Sequence, residues 1–161
     1  NHDENSWNGT IKGRLGKAEE AMTALSYVMP GMPLIYSGNE YGLNHSLKFF
    51  EKDSIPKTKG EDWELRAKLG KLKTENPALN GGKNKANYSR IKTDDDANIL
   101  AFAREKNGKK VVYIANFTTN PITTKITITG EFTNYMTGKS MRLKENEVIT
   151  VKPFQYFILM N

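Results

Sequence analysis

Met29-Pro30-Gly31-Met32-Pro33-Leu34-Ile35-Tyr36-Ser37-Gly38-Asn39-Glu40 is an apolar run held between turn signals. Pro30 and Gly31 end whatever precedes them. Residues 33–36 are long enough for a short, fully buried strand, and Ser37-Gly38 turns the backbone out of it. A buried strand that delivers a carboxamide and a carboxylate, Asn39 and Glu40, at its C-terminal end is how a parallel α/β barrel presents site residues. Standing alone, the stretch would equally suit a buried strand of any α/β protein. Such a strand needs parallel neighbours on both sides, and 161 residues hold no set of eight strand-helix repeats.

Upstream, residues 16–29 place Ala18, Ala21, Met22, Leu25, Val28 and Met29 at spacings of three and four, one face of an amphipathic helix. Helix, tight turn and buried strand form the second half of a βα repeat. Residues 1–9 read as a loop, with Asn5-Ser6-Trp7-Asn8-Gly9 as turn chemistry around one exposed Trp. Downstream of Glu40, the segment to Gly60 has no period, and a loop of that length is usually functional or ordered by contacts elsewhere. Residues 62–73 are helical again, with Leu65, Leu69 and Leu72 on one stripe. Asn76-Pro77 ends that helix and Gly81-Gly82 marks a boundary.

From Asn87 the period changes to two and β-branched and aromatic residues take over. Residues 99–103, 111–116, 123–129 and 148–151 are strand-like, residues 154–160 close the chain as a strand, and Asn107-Gly108 is a hairpin turn. Six to eight short strands at this spacing argue an antiparallel sandwich. The expected fold class is therefore α/β followed by all-β: the last βα units of a TIM barrel in residues 1–82, joined to a small antiparallel β-sandwich in residues 83–161.

A hydrophobic fraction of 37% and a charged fraction of 26% are ordinary for a globular chain. No apolar run approaches the ~20 residues that span a bilayer, and the first residues lack the basic-then-apolar pattern of an export signal. The absence of cysteine excludes disulfides and thiolate metal sites. The net charge of +6 is scattered: thirteen basic against eleven acidic residues up to Ala86, and eleven against seven from Asn87. No basic stripe interleaved with aromatics appears, and Asp94-Asp95-Asp96 interrupts the more basic half, so a nucleic-acid partner is not expected.

Four stretches together resemble the C-terminal part of the α-amylase family of retaining glycoside hydrolases. Asn1-His2-Asp3 is similar to the Asn-His-Asp motif at the end of that family's seventh barrel strand. Gly31 to Glu40 is similar to its eighth strand, with Asn39 where Gln is common. Residues 69–79, carrying Asn76-Pro77-Ala78-Leu79, resemble its final barrel helix and exit. Residues 99–116, with Phe102, Arg104 and Asn116, resemble the opening hairpin of its C-terminal β domain.

The resemblance implies that Asp3 is the third carboxylate, which holds sugar hydroxyls beside the reacting carbon and stabilises the oxocarbenium-like transition state. It implies that His2 donates to a hydroxyl of the same sugar and that Asn1 belongs to the substrate-binding set. Asn39 and Glu40 would support the barrel end more than the reaction. Trp7 and Tyr41 can stack on sugar faces or fill a loop core. His45 matches nothing catalytic, and Asp53 carries no assigned role. The family's nucleophile, acid/base and usual calcium ligands lie on strands upstream of these motifs, so the resemblance implies a chain inactive alone, without a cofactor of its own, whose partners are an α-glucan or malto-oligosaccharide and the preceding barrel portion. It also points to a secreted or periplasmic parent. Two other readings stay open: a non-catalytic scaffold with this fold, and a carbohydrate-binding β module, although Tyr88, Tyr113, Phe117, Phe132 and Tyr135 do not declare a sugar platform.

Overall fold

A computed structural model describes residues 1–161, in two units built from discontinuous segments: Asn1–Tyr27 with Met32–Leu72, and Val28–Gly31 with Lys73–Asn161.

The first unit contains three helices, α1 (His2–Asn8), α2 (Ile11–Leu15) and most of α3 (Glu19–Val28), and the greater part of a fourth, α4 (Glu61–Glu75). Residues 1–9, expected as a loop, begin with a helix because Asn1 caps it: its side-chain oxygen accepts from the Glu4 N–H at 3.0 Å. Asp3 and Glu4 sit in its first turn, where negative charge suits the helix end. Gly9, at φ 89°, stops it. In α3 the covered stripe is Ala21, Ala24, Tyr27 and Val28, whereas Met22 and Met29 of the expected face stay 37% and 41% exposed. The helix carries two adjoining apolar stripes, and only one of them is buried. α4 buries Leu69 and Leu72 as its spacing predicts.

The expected strand at residues 33–36 does not form. Residues 32–36 belong to no helix and no sheet, and Met32, Leu34 and Ile35 are 91%, 69% and 47% exposed. A parallel strand takes all of its ladder bonds from neighbours, and this chain supplies none to this segment. The barrel therefore is not seen directly. Gly38, at φ 93°, makes the turn that follows and precedes a 3₁₀ turn at Asn39–Tyr41. A Cβ there would lie 2.6 Å from Leu43 Cδ2, so glycine is needed both for the dihedral and for the space.

The second unit is all-antiparallel sheet: β1 (Asn87–Arg90), β2 (Ile99–Lys106), β3 (Lys109–Asn116), β4 (Ile122–Ile126), β5 (Gly130–Asn134), β6 (Ser140–Leu143), β7 (Glu147–Val151) and β8 (Tyr156–Met160). Six strands pair in the order β1-β2-β3-β8-β5-β6, and β4 pairs with β7 in a second sheet. The β2–β3 turn is Asn107-Gly108 at φ 52° and 74°, both central residues left-handed, as a tight hairpin between right-twisted strands requires. The run expected as one strand over 123–129 ends at Ile126, and the closing strand starts at Tyr156 because Phe154 turns left-handed at φ 57°.

Ile99, Ala101, Ala103, Val112, Ile114 and Leu159 from the large sheet meet Ile126, Ile149 and Val151 from the small one in a single apolar core. β2 and β3 are buried on their other face as well. There Phe102 lies opposite Tyr113, with ring centroids 5.5 Å apart, and the aromatic row continues to Tyr88 and Tyr156. The 3₁₀ turn Pro77–Leu79 packs on β2 and β3 and buries Ala78 and Leu79 completely. Arg104 points into the same layer, 1% exposed. No helix is long and apolar enough to cross a membrane.

Candidate functional site

α1 gathers the first motif within two turns. Asn1 spends its side-chain oxygen on the helix cap. His2 Nε2 and Asp3 Oδ1 lie 3.1 Å apart, and both side chains are 65% exposed. The Asp3 carboxylate thus stands largely open to solvent beside the His2 imidazole. Glu4 is tied down by Arg14 and by Asn8, which leaves Asp3 as the open carboxylate of this helix.

The two motifs meet only in part. Asn1, Asn5, Arg14, Tyr36 and Asn39 line a cavity of about 30 Å³, room for about one water. His2 and Asp3 face outward and do not line it. Glu40 is used locally: its Oε2 accepts the Gly38 N–H at 3.0 Å, closing the turn before the 3₁₀ segment. Tyr41 stacks on Trp63 with centroids 5.5 Å apart, so its ring packs on a neighbouring helix side chain.

Sequence reasoning missed the residue that organises the long loop. Asn5 is 7% exposed, and its Oδ1 accepts the Leu47 N–H at 2.9 Å. Asp53 holds the same loop by accepting from the Lys48 and Ser54 backbones. Those bonds, with His45 3.5 Å away, keep its carboxyl below the ordinary range. Nothing in the spelling of Asn5 within a turn-rich pentapeptide announces such a role.

A second network lay half-visible in the i, i+4 spacing of Asp62 and Arg66. Asp62 receives Lys12 Nζ at 2.8 Å and Arg66 Nη1 at 2.9 Å, and Glu19 stands 3.8 Å from Arg66. Burial works to raise the Asp62 carboxyl, but the hydrogen bonds and charges of Lys12 and Arg66 outweigh it and hold it low. Lys12 is raised in return by its bond to Asp62. Glu19 is pushed up by burial, against the pull of Lys12. No group of three His, Asp or Glu side chains converges to hold a metal ion.

No protein-family model and no curated protein sequence matches the chain. Solved structures do. A maltogenic α-amylase, AmyB from Thermotoga neapolitana, aligns over 91% of this chain and 36% of its own, at TM-score 0.77 and 17% identity. A maltogenic amylase from S. marinus aligns over 94% of this chain and 21% of its own, at TM-score 0.70 and 18% identity. AmyP, solved with maltose, aligns over 89% and 34%, at TM-score 0.65 and 16% identity. The chain spans about a third or less of the length of these proteins. In fold, it resembles the C-terminal part of α-amylase-family enzymes.

Proposed function

We propose that this chain is the C-terminal segment of an α-amylase-type glycoside hydrolase that cleaves α-glucosidic bonds of starch-like glucans with retention, residues 1–82 completing the catalytic barrel and residues 83–161 forming the β domain. The observation that carries this reading is the open Asp3 carboxylate beside His2 at the head of α1, in a chain that follows amylase folds over nearly all its length. Retaining hydrolysis needs a nucleophile and an acid/base carboxyl about 5 to 5.5 Å apart astride the bond, both contributed by the preceding barrel portion. Asp3 adds a fixed acceptor for the sugar hydroxyls. As the ring flattens and positive charge grows on its carbon, those hydrogen bonds strengthen. His2 and Asn1 complete the contact set, and the substrate is a malto-oligosaccharide or longer α-glucan.

The test uses the full-length polypeptide that carries these residues. Incubated with maltoheptaose, it should release products whose first-formed reducing ends are the α-anomer by proton NMR. A β-anomer would overturn retention, and no release at all would leave a scaffold with this fold as the function.

A further inference from the structure

Asp3 and Asn5 stand two positions apart on α1, about 200° around the helix, so their side chains leave it on opposite faces. Asn5 is the residue that α1 buries, and its Oδ1 accepts the Leu47 N–H at 2.9 Å. A helix of two turns is marginal by itself, and its other polar bonds leave its placement loose. The Asn1 cap bonds within the helix, and the Glu4–Arg14 ion pair is solvated on both sides, a kind that contributes little. The donor to Asn5 is fixed in its turn. The next peptide N–H, that of Lys48, and the N–H of Ser54 donate to the Asp53 carboxylate at 3.1 and 2.7 Å. Thr10, the cap of α2, donates to Asn44 Oδ1 at 2.7 Å, so the same loop is strapped to the start of the second helix as well.

We propose that Asn5 is the positioning residue of Asp3: through the Leu47 bond the long loop sets the roll of α1 about its axis, and that roll sets where the Asp3 carboxyl meets the substrate. This rests on the function proposed above. A carboxylate that strengthens its bonds to sugar hydroxyls in the transition state acts only when it is held in place to a fraction of an ångström. A two-turn helix does not supply that restraint, and a buried side chain locked to a backbone N–H on the opposite face does. Packing alone would be met by an apolar residue at position 5. An amide oxygen aimed at one N–H gives the helix a direction as well as a contact.

The experiment measures kcat and KM for maltoheptaose on the full-length protein, on its Asn5→Ala and Asp3→Asn variants and on the double variant, with thermal melting to verify folding. Asn5→Ala should lower kcat about tenfold or more, the cost of a misplacement of a fraction of an ångström, and leave KM within about twofold. In the Asp3→Asn background the same change should lower kcat by less than about twofold, because a residue that acts through Asp3 has nothing left to place. Parental kcat in Asn5→Ala with melting intact overturns the proposal. So does an equal loss in both backgrounds, which a bond serving the fold alone would give. Where Asn5→Ala fails to fold, Asn44→Ala releases the loop's tie to Thr10 from an exposed position and is judged by the same two comparisons, with an expected loss of about threefold. Deuterium exchange of residues 5–8 needs no activity: the variant that folds should exchange them at least about tenfold faster, and unaltered exchange overturns the positioning. The two proposals fail separately: a parent that releases no product, or a full kcat in Asp3→Asn, sinks the catalytic reading, and the exchange of α1 still decides whether the loop holds the helix.

Discussion

Arg104 donates from Nη1 to the carbonyl oxygen of Val28 at 3.1 Å, across 76 positions of sequence. The same guanidinium donates to the carbonyls of Asn80 at 2.8 Å and Asn87 at 3.3 Å. Val28 is the last residue of α3, so a strand side chain satisfies a carbonyl that the helix end leaves open. The fork of the guanidinium suits this task and a lysine ammonium does not. Arg104→Ala and Arg104→Lys are both expected to destabilise the protein, the first by about 3 to 5 kcal/mol, because buried acceptors lose their donor. Urea unfolding checks it, and a cost below about 1 kcal/mol for Arg104→Ala would show the bonds to be incidental.

Asn116 is fully buried at the end of β3. Its amide donates to Asn120 at 2.7 Å and Val151 at 3.0 Å, and its oxygen accepts from the backbone and hydroxyl of Thr118. Asn116→Asp keeps the acceptor and sets a second oxygen against two carbonyls. It should cost more than Asn116→Ala at pH 7 and recover part of the loss in acid, as protonation returns a donor. Equal melting temperatures for both variants at pH 7 would contradict this.

Under the proposed function, Asp3→Asn in the full-length polypeptide should lower kcat by ~10²-fold or more, with a smaller change in substrate affinity, the signature of losing an interaction that strengthens in the transition state. Steady-state kinetics on maltoheptaose reads both quantities. More than about a tenth of parental kcat would remove Asp3 from the mechanism.

The Lys12–Asp62–Arg66–Glu19 network sets a pH response. Asp62 is held below its ordinary 3.8, so its contribution is present above that pH and lost as pH falls through its folded value. Lys12 is held above 10.5, so its contribution is complete below 10.5 and lost as pH rises further. Glu19 runs the other way: raised above 4.5 by burial, it favours the fold in acid and weakens it as pH rises through its folded value. Asp62→Asn should cost about 1 to 3 kcal/mol at pH 7. That difference should shrink well below pH 3.8. Glu19→Gln should be neutral or stabilising at pH 7. Denaturant midpoints at the two pH values measure all three, and a pH-independent cost for Asp62→Asn would refute the linkage.

The β region should fold without the rest, but less stably when it starts at Asn87. Ala78 and Leu79 are fully buried, and Asn80 accepts from Arg104, so a fragment of residues 73–161 should exceed one of residues 87–161 by about 2 to 4 kcal/mol, the worth of a buried Leu and a charged hydrogen bond. Equal urea midpoints would argue against it.

What could be read from the sequence follows the range of the forces involved. Asn107-Gly108 and the alternation around it specify their hairpin locally, and Leu69 and Leu72 declare the buried stripe of α4. Residues 33–36 misled because their apolar character is real while their strand state depends on neighbours that no local signal supplies. α1 was hidden under turn-forming residues, although Asn1 followed three residues later by Glu4 is a capping pattern. β6 alternates Met141 and Leu143 with Ser140 and Arg142, a run of four residues too short to separate from the polar turn around it. Arg104 stands in the stretch resembling the family's C-terminal hairpin, but nothing local announces its burial, because its acceptors Val28, Asn80 and Asn87 come from other stretches of chain. For the candidate site, the motif pointed to Asp3 and His2, but the pairing of Trp7 with Phe49 needed a loop path that only Asn5 and Asp53 define.

The exposed residues 32–36 bear on how the polypeptide is produced. An exposed apolar segment outside any sheet is a surface on which a second chain can dock, and such segments seed aggregates. Pro30 and Pro33 interrupt the row of donors and act as brakes on such growth. A preparation in which this apolar segment stays uncovered will be limited by solubility before it is limited by stability.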